Sequence, residues 1–144
     1  LKNNLNYYKI NSWEKLHDYL SDQQTLLDYG VLPLPSQVAL KFLEQKTGDF
    51  RCVIPYSPPE IKKLGKVFHN CLFSFTSRVQ NGEICIATFF DEKDQNLCVA
   101  FFYDKERKIV HFEQALAKDN QKADSSFVQK VQSYILDKIN NQSF

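Results

Sequence analysis

The chain has 144 residues, 43% of them apolar and 14% aromatic with twelve Phe, a composition that supports a packed core and excludes disorder. A formal net charge of +1, with Lys and Arg spread along the chain, excludes extended non-specific nucleic-acid binding, which needs a clear basic excess. No stretch approaches the roughly 18–20 apolar residues of a membrane span, and residues 1–30 hold no apolar run of signal-peptide length.

These bounds predict a single domain over residues 1–144 in a cytoplasmic setting, and the absence of Met is expected of an excised domain or a processed N-terminus. Cys52, Cys71, Cys85 and Cys98 form no C-x-x-C pair and no two His stand at i, i+4, so reduced thiols and no metal or cofactor are expected.

In chain order, Ser12 is a candidate N-cap before Trp13, Leu16 and Leu20, which share a helical face with His17 on the outer side; the helix is expected to stop near Ser21-Asp22. A short apolar stretch from Leu26 to Leu32 follows. After Pro33 and Pro35, Val38, Phe42 and Leu43 mark another helix that Gly48 would end, which makes residues 1–50 a helical N-terminal part. Phe50 to Ile54 reads as an edge strand closed by Pro55. Ser57-Pro58-Pro59-Glu60 is a capping box with Pro at the first helical position, and Val67 to Phe75 is a second helical segment or a bend.

Three strands are predicted next. Glu83 to Phe90 and Leu97 to Tyr103 are apolar on both faces and therefore buried on both, whereas Lys108 to Leu116 carries His111, Glu113 and Gln114. Strict alternation places His111 and Glu113 with Ile109 on one face and Gln114 with Val110 and Phe112 on the other. On a central strand such groups require partners. Asp124 caps a last helix that turns Phe127, Val131, Ile135 and Ile139 inward. The expected fold class is α+β: an antiparallel three- to four-stranded meander with helices on both faces, including the amphipathic C-terminal helix.

Two readings of function follow from the polar residues. As an enzyme, Cys71 is a nucleophile on an amide, ester or thioester carbonyl, His111 its base, and Gln114 or Asn120 the amide that orients the imidazole, in the order of papain-like hydrolases and deamidases. As a binding module, His69, Asn70, Ser74, Gln114 and Asn120 form a polar pocket for a nucleotide, a nucleic-acid strand or a protein segment, and Cys71 packs.

The stretch Leu64-Gly65 and Phe68-His69-Asn70-Cys71-Leu72-Phe73-Ser74-Phe75 resembles the Leu … His/Asn-Cys-Val-Gly-Ser-Tyr motif of PcfJ-like proteins, a family of bacterial conjugative plasmids and other mobile elements. That family continues with a Gly-bearing turn, here Gln80-Asn81-Gly82-Glu83, a meander of strands and a Gln-x-x-Gly-x-x-Asn signature, here Gln114 to Asn120. The resemblance spans 57–139 and matches Asn70, Cys71, Ser74, Gln114 and Asn120. Phe73 and Ala117 stand where the family has Gly, and Phe75 where it has Tyr. It implies handling of mobile DNA or a conflict between cells, and emphasises the amides as much as the thiol.

Overall fold

The computed structural model describes residues 13–44, 50–70, 72–93, 95–104 and 106–141. Helix α1 (Trp13–Tyr29) and the short α2 (Pro35–Val38) precede strand β1 (Phe50–Val53). Helices α3 (Pro58–Phe68) and α4 (Thr76–Gln80) follow, then β2 (Cys85–Asp91), β3 (Asn96–Asp104), β4 (Ile109–Leu116) and helix α5 (Ser125–Asn140). The four strands form one antiparallel sheet in the order β1-β2-β3-β4, with helices on both faces.

The apolar runs of β2 and β3 account for this layering. Ala87, Phe89, Leu97, Val99 and Phe101 are buried on one face against Phe127, Val131, Ile135 and Ile139 of α5. Ile86, Cys98 and Ala100 face the other way, against Ile61 and Phe68 of α3, Leu72 and Val79. The Asp124 carboxylate accepts from Phe127 N at 3.3 Å and caps α5 as its position predicts.

Local chemistry shapes the hairpins and also corrects several expectations. Helix α1 does not stop at Ser21: neither Gly nor Pro interrupts it, Gln24 Nε2 donates to Asp28 Oδ1 at 2.9 Å, and Gly30, at φ 78°, ends it. The helix expected around Val38 to Leu43 divides into α2 and a 3-10 turn, Lys41–Leu43, with Val38 exposed; the expected stop at Gly48 lies outside the described residues. At the head of α3 Ser57 and Glu60 do meet, but Ser57 Oγ donates to Glu60 Oε2 at 2.9 Å instead of accepting from the Glu60 backbone. Strand β4 is an edge strand, so water reaches the polar groups that were expected to need buried partners.

Candidate functional site

The face covered by α3 and α4 carries the site. Helix α3 ends where His69 enters the left-handed region at φ 50°; His69 N bonds to Lys66 O and Asn70 N to Gly65 O, at 3.3 and 3.1 Å. This is a Schellman closure with a non-glycine residue at its left-handed position, a placement that costs about 1–2 kcal/mol. Asn70 Oδ1 then accepts from Leu72 N at 2.9 Å and starts the 3-10 turn Leu72–Phe75. The chain therefore bends at His69 and Asn70, and Leu72–Phe75 forms a new helical turn.

Strand β4 meets this bend through a β-bulge. Ala100 pairs with Gln114 and Phe101 with Phe112, so Glu113 is the extra residue. The bulge breaks strict alternation: Gln114 lies on the Ala100 face together with His111, not with Val110 and Phe112, which pack toward α5. Arg78 of α4 holds the bulge, with Nη1 and Nη2 donating to the two Glu113 carboxylate oxygens at 2.7 and 2.8 Å. That hydrogen bond keeps the Glu113 carboxyl below the usual carboxylate range.

Beyond β4 the chain makes a second left-handed turn, with Asp119 at φ 61° and Asn120 at φ 58°. Asp and Asn tolerate that conformation better than other non-glycine residues. Asp119 Oδ1 lies 3.2 Å from His69 Nδ1, and so the two left-handed turns are bridged.

Between them opens a hollow of about 320 Å³. Asn70, Ser74, Gln114 and Asn120 supply its polar lining, and Leu72, Phe75, Cys98, Ala100 and Leu116 its apolar lining. The Gln114 and Asn120 side-chain amides and the Asn70 Nδ2 group have no hydrogen-bond partner among the described residues. Among the described residues no lining group is ionised at neutral pH, since burial pushes the Cys98 thiol up to about 12.

Four of the residues singled out in the sequence thus converge. His69 stands beside the hollow through its Asp119 contact, and His111 is exposed and not part of the lining. Cys71 lies outside the described residues. Neither Phe73 nor Ala117 needs a left-handed backbone where the PcfJ-like motif has Gly. Phe73 instead meets Tyr29 edge to face at 5.3 Å and anchors α1. The bulge and its Arg78 clamp escaped sequence reasoning; the polar pair Glu113-Gln114, which breaks the alternation of Val110-His111-Phe112-Glu113, was their trace. Comparison of the chain with protein-family models, curated proteins and solved structures finds no match.

Proposed function

We propose that this domain is a binding module whose hollow takes a neutral, planar, hydrogen-bonding group, specifically the edge of a nucleobase. The observation that carries the reading is the set of open hydrogen-bonding groups on Gln114, Asn120 and Asn70 Nδ2 around an apolar floor, with no ionised group among the described residues. Amides offer paired donors and acceptors that match a base edge. The apolar floor, with the Phe75 ring, suits the face of a base. A volume of about 320 Å³ falls at the small end of the roughly 300–1,000 Å³ typical of ligand sites.

The same residues support kinship with PcfJ-like proteins over 57–139, because four of the five motif positions, Asn70, Ser74, Gln114 and Asn120, line one hollow. With that kinship goes an intracellular bacterial setting in a mobile-element or conflict system. Among the described residues no helix is long and apolar enough to cross a membrane.

The test is titration of 15N-labelled protein with a panel of nucleosides. The side-chain amide resonances of Gln114 and Asn120 should shift, and Gln114→Ala or Asn120→Ala should each weaken binding roughly two- to tenfold, the worth of about 0.5–1.5 kcal/mol per hydrogen bond. Cys71→Ala should bind as the parent does. A panel that moves none of these resonances ends the reading. Turnover of a thioester probe that vanishes in Cys71→Ala would install the hydrolase in its place.

A further inference from the structure

A second hollow of about 390 Å³ adjoins the first. Three separate chain segments pass from one to the other in two residues. On β3, Asn96 lines the second hollow, and Cys98 and Ala100 on the same strand face line the first. After α3, Phe68 lines the second and Asn70 the first; in the turn beyond β4, Lys118 lines the second and Asn120 the first. A two-residue step along a strand is about 6.6 Å, so the hollows are neighbours on one face of the sheet. The His69–Asp119 bridge marks the divide, because each of these residues lies between the paired lining residues of its own segment.

Their chemistry differs. Among the described residues the lining of the first hollow is neutral, whereas that of the second holds two cations, Arg51 and Lys118, and the carboxylate of Asp91. Asp91 is already engaged: its Oδ1 accepts from Lys93 N and Gln95 N at 3.0 and 2.7 Å. The Arg51 guanidinium stands 4.9 Å from the centre of the Phe90 ring, a contact that orients the fork and leaves its charge in place. Neither Arg51 nor Lys118 has an ion-pair partner among the described residues. Lys118 is held by its backbone, whose N–H donates to Asn96 Oδ1 at 2.7 Å, so its side chain projects from a fixed turn.

We infer that the two hollows form one composite site for a nucleobase joined to a phosphate, with the base among the amides and the phosphate between Arg51 and Lys118. This rests on the base-binding reading above and adds the anionic half. Arg matches two phosphate oxygens at once, while Lys contributes a point charge. The shared chemistry is a nucleoside monophosphate unit, which a free nucleotide and a single strand both supply.

The experiment compares affinities for a nucleoside, its 5′-monophosphate, inorganic phosphate and a short single-stranded oligonucleotide in the parent protein and in Arg51→Gln/Lys118→Gln. Both positions are exposed, so the double variant should keep its fold, checked by its thermal unfolding. The monophosphate should bind at least tenfold tighter than the nucleoside in the parent, and that gain should vanish in the double variant with nucleoside affinity unchanged. Nucleoside binding with no gain from the phosphate, or a gain that survives the double substitution, overturns the composite site and leaves the base-binding reading standing. Failure of the nucleoside and monophosphate while inorganic phosphate alone binds overturns both the base reading and the composite site. With the composite site upheld, equal affinity for monophosphate and oligonucleotide identifies the free nucleotide, and tighter binding of the oligonucleotide identifies the strand.

Discussion

Gln37 has no counterpart in the functional reading, yet it fixes the sheet that carries the site. It is fully buried, and its amide makes three hydrogen bonds. Nε2 donates to Pro55 O and Ile86 O, both at 2.8 Å, and Oε1 accepts from Ile86 N at 2.9 Å. Pairing of β1 with β2 extends only to Val53 and Thr88, so the Ile86 peptide would otherwise face the interior with both its groups open. The side-chain amide replaces the missing strand. Gln37→Leu keeps approximate volume but leaves three buried backbone groups unpaired, at about 1–3 kcal/mol each. A loss of about 3 kcal/mol or more is expected in urea unfolding. A loss under about 1 kcal/mol would show that water takes over these bonds.

At the scale of elements, the bulge in β4 decides what the hollow contains. Without it Gln114 would point toward α5, as strict alternation along Ile109 to Leu116 requires, and the amide ring would lose a member. Arg78 secures the bulge from α4, but both partners are well exposed, at 39% and 38% of their side-chain surface. Exposed pairs add little to global stability. Arg78→Ala should therefore leave the urea midpoint nearly unchanged while it shifts the Gln114 side-chain resonances and weakens nucleoside binding several-fold. The pH dependence has a definite sign: the clamp lowers the Glu113 pKa, so it is intact at neutral pH and is lost as acid titrates the folded-state carboxylate, below the usual carboxylate range. Base binding should fall in the same window in the parent and be flat there in Glu113→Gln. Unaltered Gln114 resonances in Arg78→Ala would separate the clamp from the hollow.

The same elements show how far the sequence was legible. Periodicity exposed β2 and β3 because their apolar runs are buried on both faces, and α5 because Phe127, Val131, Ile135 and Ile139 repeat at helical spacing and are all buried. Asn70 and Gln114 stood out because their polarity is out of place in apolar segments, whereas Asn120, in the polar run Lys118 to Lys122, entered as a candidate orienting amide and Ser74 through the PcfJ-like motif. Periodicity could not pair Arg51 with Lys118, since both are ordinary surface cations until the fold brings two distant segments to one hollow. Nor could it find the continuity of α1, since Ser21 and Asp22 look like a stop and the contact that engages Ser21 comes from Lys62 of α3.

Across the whole molecule, the sheet separates two cores with different duties. The α5 face holds Phe101, Val131, Ile135 and Ile139 and, among the described residues, carries none that lines the amide hollow. The α3 face shares Phe68, Leu72, Cys98 and Ala100 with the two hollows, so there packing and binding use the same atoms. The hollow forms where α3 ends at His69 and the helical cover gives way to the bulged edge strand. If the sheet acts as a rigid partition, damage on the α5 side should lower stability without touching affinity. Ile135 is fully buried there, and Ile135→Ala removes methylenes from a site with little freedom to collapse, at a cost of about 2–5 kcal/mol. Its folded fraction should bind the nucleoside within about twofold of the parent, a change of under about 0.5 kcal/mol. Leu72→Ala, on the other face, should lose both stability and affinity, because Leu72 packs the α3 core and lines the hollow at once. A fall in affinity for Ile135→Ala as large as that for Leu72→Ala would mean that the sheet transmits repacking between its faces, and that the hollow depends on the whole core and not on the left-handed turns and the bulge that frame it.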